Sequence, residues 1–224
     1  MKVYCADVGS VSSRRFAWAR ADSKQPDAEM EDEHDDIREL AERVAEDLSR
    51  GEAVALGFGC PLFVPIPDDP IRLGKCRDGE GNRAWSASAG AGALATGLVQ
   101  AVWVLRKVRE LLPQAVPVFT DWKWFSAEQA GLYLWEAFVS GKGKAAGHEK
   151  ADSHKEDAKA AVREFMIALP DVEGANAIQC GTPVYSLIGA ALLRTKWSTD
   201  LQLLAKPCIV IKAGQKAASR EVGG

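Results

Sequence analysis

Three acids stand where a carboxylate can do chemistry. Asp7 ends the run Lys2-Val-Tyr-Cys-Ala-Asp7 and is followed by Val8 and Gly9, so a strand over residues 2–7 delivers its side chain to the strand's mouth. Glu136 sits inside the apolar run Leu134-Trp135-Glu136-Ala137-Phe138. A carboxylate there is costly to bury unless it is paired or binds a cation. Asp157 follows His154 by three residues in His154-Lys155-Glu156-Asp157-Ala158, a spacing that puts both on one face of a helix. Each also has a plainer role. Asp7 suits a turn, Asp157 suits the first turn of a helix, and His154 alone suits a helix start. Glu136 resists such a reading because its neighbours are so apolar.

Two basic loops join these acids. Arg72, Lys75, Arg77 and Arg83 alternate with Gly and Pro ahead of Trp85, and Lys142, Lys144 and Lys150 gather in a Gly-containing stretch. Cations beside an aromatic ring are what backbone-directed contact with nucleic acid uses; solvated loops are the alternative. The formal net charge of the 224-residue chain is −3, which excludes a uniformly basic binder. Residues 22–47 alone hold twelve acids and three bases, leaving 25 bases against 19 acids elsewhere. The remainder is mildly basic, and a polyanion can still bind one face.

Other chemistries lack their signatures. Gly90-Ala-Gly92 with Gly97 is not G-x-G-x-x-G and follows a loop, and Gly141-Lys-Gly143-Lys144 lacks the Walker spacing. No G-x-S-x-G occurs. The cysteines (Cys5, Cys60, Cys76, Cys180, Cys208) are odd in number and form no C-x-x-C, so buried thiols in a reducing cytoplasm are expected rather than disulfides or a zinc site. Trp122, Trp124 and Trp135 read as core or interface anchors.

The elements that must position the acids follow from periodicity. Strands are expected over residues 2–7 and 14–20 as a hairpin, then a polar loop over 22–36. Asp36–Ser49 shows a helical stripe of Ile37, Leu40, Ala41, Val44 and Leu48, stopped by Gly51. Ala53–Phe58 is continuously apolar, as a strand buried on both faces would be. Residues 60–92, rich in Pro and Gly, read as a long functional loop. Leu94–Leu112 reads as a helix with Leu94, Leu98, Val102, Leu105 and Leu112 inward. A short strand (116–119), a small helix (126–129), a core strand (132–139), a helix from a Ser153 cap to about Ala168, a helix over 183–196 and a strand near 208–211 complete the chain. Strands alternating with helices give an α/β domain, and the opening hairpin makes its sheet mixed. We expect one domain over 1–224, with a loop insertion at about 60–92 and additional elements from about residue 171. Ala84–Leu105 is uncharged and long enough for a bilayer, but its Ser, Gly and Ala content favours a loop leading into a buried helix. A cytoplasmic protein without a signal peptide or a membrane span is the expectation.

An acid ending the first strand, a β-hairpin and a late helix carrying H-x-x-D-A together resemble the ribonuclease H-like superfamily. The H-x-x-D-A pattern resembles the last helix of its RuvC-type nucleases and of uncharacterised, predicted bacterial nucleases. The resemblance covers about residues 1–170 in element order. It implies a divalent-metal-dependent hydrolase of phosphodiester bonds, with Mg²⁺ or Mn²⁺ ions roughly 3.5–4 Å apart on clustered carboxylates. Asp7 would be the central ligand, Asp157 the second and Glu136 a further one, with His154 assisting or positioning water. Nucleic acid would be the partner, met by Arg72, Lys75, Arg77, Arg83, Lys142 and Lys144. One position departs from the family. The strand after the first helix continues Gly57-Phe58-Gly59-Cys60, with Gly59 where the family carries an acid. Either Glu136 or Glu80 substitutes, or the chain is a catalytically inactive binding or assembly subunit.

Overall fold

Seven strands, most of them apolar and each too short to hide its own faces, associate edge to edge, and the helices between them cover the sheet. The computed structural model describes residues 1–24, 32–81, 84–139 and 150–213. Strands β1 (Lys2–Asp7) and β2 (Ala17–Asp22) form the expected hairpin, and β3 (Asp32–His34) adds an antiparallel edge. Helix α1 (Ile37–Ser49) crosses over, and β4 (Val54–Phe58) returns parallel to β1. A small strand β5 (Phe63–Pro65) and the long helix α2 (Ser88–Leu111) follow. Next come β6 (Val118–Phe119), α3 (Trp122–Glu128) and β7 (Leu132–Val139), which lies parallel to β4. Helix α4 (Lys150–Ala168), β8 (Val184–Ser186), α5 (Leu187–Arg194) and β9 (Val210–Ala213) complete the described chain. The main sheet runs β3-β2-β1-β4-β7-β6, with β9 parallel to the end of β7. The architecture is α/β: a mixed, mostly parallel sheet flanked by helices.

Successive strand residues point to opposite faces, and the two faces have different covers. Tyr4 and Ala6 of β1, Leu56 and Phe58 of β4 and Leu134 of β7 belong to one core with α1, α2 and α5. Val3 and Cys5, Ala55, Tyr133 and Trp135 belong to the other, closed by Ala158, Ala161, Val162 and Phe165 of α4 and Phe125 of α3. Two glycines permit close approach. A side chain at Gly57 would run into the Trp135 ring, and one at Gly97 of α2 would run into Cys60.

The differences from the expected elements have local causes. The stretch read as a polar loop contains β3, because pairing with β2 supplies an edge that its composition does not advertise. Helix α2 begins earlier than its apolar stripe, and its buried face is Gly97, Gln100, Ala101, Val104, Leu105 and Val108; Leu98 and Val99 are exposed. Small residues in that face let α2 pack closely against α1 and α5. By length and composition it is the one helix among the described residues that could cross a membrane. Ser153 lies inside α4 rather than at its cap. Residues 184–186 form β8 instead of opening a helix, because β5 pairs with them and ties the 60–92 segment to the later elements. Of the three tryptophans, Trp135 is buried, Trp122 packs edge-on to Tyr133 and Phe165, and Trp124 is exposed.

Candidate functional site

The parallel strands end at a cleft of about 420 Å³ whose wall includes Asp7, Gly9, Arg15, Gly59, Cys60, Glu80, Trp85, Glu136, His154 and Asp157. Strand alternation sends Asp7 to the same face as Val3 and Cys5, the face that α4 covers. There the His154 Nδ1 lies 2.5 Å from Asp7 Oδ2. Asp157, one turn further along α4, is buried. Both acids reach the neighbourhood of Cys5: burial pushes that thiol up, and Asp7, Cys60 and Asp157 push it further. The structure thus brings Asp7 against His154, 147 positions away in the chain, with Asp157 lining the same cleft.

The turn after Asp7 is held by a residue the sequence reading missed. The Gln100 side chain of α2 donates to the Gly9 carbonyl at 2.5 Å and accepts from the Gly9 N–H at 3.3 Å. Its signal was a polar residue on the inward face of an otherwise apolar helix.

Glu136 lies at the same end of the sheet but belongs to the opposite face. The register pairs Ala6 with Phe58 and Phe58 with Glu136, so the position level with Asp7 on its own face is Ala137, beyond Gly59. Arg77 grips Glu136 in a two-pronged ion pair, with Nη2 2.5 Å from Oε1 and Nη1 2.9 Å from Oε2, and the Leu62 N–H adds a bond of 2.9 Å. The other side of Arg77 meets Glu80, with Nε 2.8 Å from its carboxylate and the Arg77 N–H at 2.7 Å. Arg77 and both acids are buried. Burial alone would lower the Arg77 pKa; Glu136 and then Glu80 overcome it and hold the guanidinium above its ordinary value. Glu136 as a metal ligand is therefore corrected: its oxygens are already engaged by a cation and an amide. The same applies to Glu80 as its substitute.

The basic residues divide. Arg77 is not a nucleic-acid contact, because its side chain is fully enclosed. Arg72 and Lys75 are exposed, but they line a neighbouring hollow of about 150 Å³ with Cys76, Cys180 and Thr182. Arg77 forms part of that hollow's wall, and its partners Glu80 and Glu136 line the main cleft. Trp85 reaches the main cleft and donates its ring N–H to the Lys75 carbonyl. Arg83, Lys142 and Lys144 lie outside the described residues, as do any contacts they make. Cys60 lines the cleft with its side chain buried, and burial, Glu136 and Asp7 push its thiol up.

The donor set does not fit a pair of ions. Among the described residues no three His, Cys, Asp or Glu side chains gather around a common point. Asp7 and Asp157 are the carboxylates of the cleft that stand outside the Arg77 cluster. The backbone at Gly59 comes close to Asp7: a Cβ there would stand 2.9 Å from Asp7 Oδ1 and 3.3 Å from the Asp7 Cα.

No family model matches the chain, and neither the curated proteins nor the solved structures contain a match.

Proposed function

We propose that this chain is a ribonuclease H-like domain that hydrolyses phosphodiester bonds of nucleic acid with a divalent ion at the Asp7–His154–Asp157 corner. The observation that carries the reading is the 2.5 Å contact between Asp7, ending the central strand, and His154, on the helix laid across it, with Asp157 in the same cleft. The topology supports it: three antiparallel strands, a crossover helix, then two parallel strands, with Asp7 on the strand where the direction changes. Phosphate recognition has support at the rim, where Arg15 and the first residues of α2 line the cleft. Helix α2 starts without a side-chain cap and without an acid in its first turn, so its N–H groups and dipole favour an anion.

The residues divide the labour. Donation from His154 Nδ1–H to Asp7 Oδ2 fixes the imidazole and leaves Nε2 as the acceptor nitrogen. Nε2 takes the proton of a water as its oxygen bonds to phosphorus, the ester P–O bond opposite it breaks, the leaving oxygen takes a proton from solvent, and Asp7 stabilises the imidazolium until it gives its proton back to solvent. Gln100 keeps the Gly9 turn, and with it the Asp7 backbone, in place. A Mg²⁺ or Mn²⁺ ion on Asp7 and Asp157 would offset negative charge on the phosphate oxygens.

The test is incubation of the purified protein with single- and double-stranded DNA and RNA in Mg²⁺ or Mn²⁺. Cleavage that disappears in Asp7→Ala is expected; cleavage that survives unchanged overturns the assignment. A second reading, a non-catalytic binding subunit of the same fold, draws on the missing acid at Gly59 and the engaged Glu136. Nucleic-acid binding without cleavage under every metal condition would select it.

A further inference from the structure

We infer that the cleft takes an unpaired nucleic-acid strand, with a base stacked against the rings of Trp85 and Phe138. The inference rests on the hydrolase reading and deepens it by naming the substrate class of that site.

Most large rings of the chain are spent inside its two cores. Tyr4, Trp18, Tyr133 and Trp135 have no exposure to solvent. Trp85 and Phe138 differ: both are half-buried, and both line the cleft. Trp85 stands just ahead of α2, and its ring N–H donates to the Lys75 carbonyl at 3.0 Å. That bond holds the polar edge of the indole on the segment's own backbone. Phe138 lies two residues beyond Glu136 in β7, so strand alternation sends it to the same, α2 side of the sheet. Its partner in β9 is Lys212, whose ammonium stands 5.6 Å from the ring centroid and donates to the Gly79 carbonyl at 3.4 Å. Each ring is tied to backbone before any ligand arrives, so little further side-chain ordering opposes binding.

The rest of that flank suits a flat, apolar partner. The start of α2 contributes Ala89, Gly90 and Ala93, and the end of β7 contributes Ala137 and Val139. Their side chains offer a sugar–phosphate chain no hydrogen bond. The π-face of a base, which every nucleotide carries, matches them and the two rings. The polar groups gather on the α4 side, where Asp7 meets His154. A duplex keeps its bases stacked on one another and turns phosphates and groove edges outward, which leaves both rings without a partner. An unpaired strand can lay a base on them while its backbone passes the Asp7–His154 corner. The cleft, at about 420 Å³, falls in the size range of small-ligand sites, the scale of one nucleotide.

The experiment is a fluorescence-anisotropy titration of the full chain in EDTA, so that no strand is cut. The labelled probes are a short oligothymidylate, an oligouridylate of equal length, an abasic strand of that length and a blunt duplex. The tighter-binding of the two base-bearing strands should bind about tenfold or more tightly than the abasic strand, and more tightly than the duplex, since stacking is what it adds. Trp85→Leu and Phe138→Leu keep apolar bulk but remove a ring. Each should weaken binding of the base-bearing strand by about fivefold or more and leave the abasic strand as it was. Trp85→Phe, which restores a ring, should recover most of the loss. Thermal melts establish that each variant is folded. Base-bearing and abasic strands bound alike, a duplex bound as tightly as a single strand, ring variants that bind as the wild type or lose affinity equally for both strands, or no binding of any probe overturns the inference. A parallel cleavage assay in Mg²⁺ or Mn²⁺ judges the reading beneath it. Base-dependent binding without cleavage of any strand overturns the hydrolase and leaves the stacking site standing; cleavage without base-dependent binding does the reverse.

Discussion

Two acidic corners share one cleft and differ by a single step of strand alternation. At one, Asp7 meets His154, and Asp157 stands beside them. At the other, Glu136 and Glu80 close on Arg77. Both lie at the carboxyl ends of the parallel strands, where ligands collect in open α/β sheets. The first presents oxygens and an imidazole to the cleft. The second has satisfied its charges internally and joins the 60–92 segment to β7. The contrast teaches that an acid buried in an apolar strand is a sign of a cation, and that the cation can be the protein's own.

Breaking the second corner should have the largest effect on stability. Arg77→Met leaves two buried carboxylates without their cation, and a loss of about 3–5 kcal/mol is expected in urea denaturation. Adding Glu136→Gln and Glu80→Gln should recover much of it; no recovery would show that Arg77 matters by its bulk alone. Breaking the first corner should instead remove activity while sparing the fold. His154→Ala is expected to lower turnover by about 10²–10⁴, the range for loss of a general base, with the denaturation midpoint changed little. An equal fall in stability would make His154 a packing residue.

The space between the corners gives a subtler probe. Gly59→Ala puts a methyl 2.9 Å from Asp7 Oδ1 and 3.3 Å from the Asp7 Cα, so the backbone must yield. Overpacking of this kind costs about 1–3 kcal/mol, and Mn²⁺ affinity should fall with it. If Gly59 were only a missing acid, Gly59→Ala would leave binding as it was. The smallest effect concerns the thiols. Cys76 is exposed, whereas Cys5, Cys60 and Cys208 are buried with thiols pushed well above their ordinary values, first by burial itself. A maleimide at neutral pH should label Cys76 readily and those three only after denaturation; fast labelling of Cys60 in the native protein would show that the cleft opens more widely than its wall suggests.

Much of the frame was legible because period and composition dictate it locally. The continuous apolar runs at 54–58 and 132–139 are strands, and the stripe from Leu40 to Leu48 is α1. The placement of Asp7 at the end of a strand, and of His154 and Asp157 on one helix, was legible too, since each element fixes it. What could not be read was the partner across the fold. Whether Glu136 faces α4 or α2 depends on its register against β4, and Arg77 looks in sequence like any other cation of a basic loop. Only the fold shows it enclosed between two acids. Residues 32–34 and 184–186 escaped for a related reason, as their strand character comes from the strands they join.

A side-by-side assay of Asp7→Asn and Glu136→Gln for cleavage of nucleic acid in Mn²⁺ measures directly which corner works. Cleavage should vanish in Asp7→Asn and persist at close to the wild-type rate in Glu136→Gln. Cleavage that persists in Asp7→Asn, or vanishes in a folded Glu136→Gln, would contradict the assignment of the Asp7 corner.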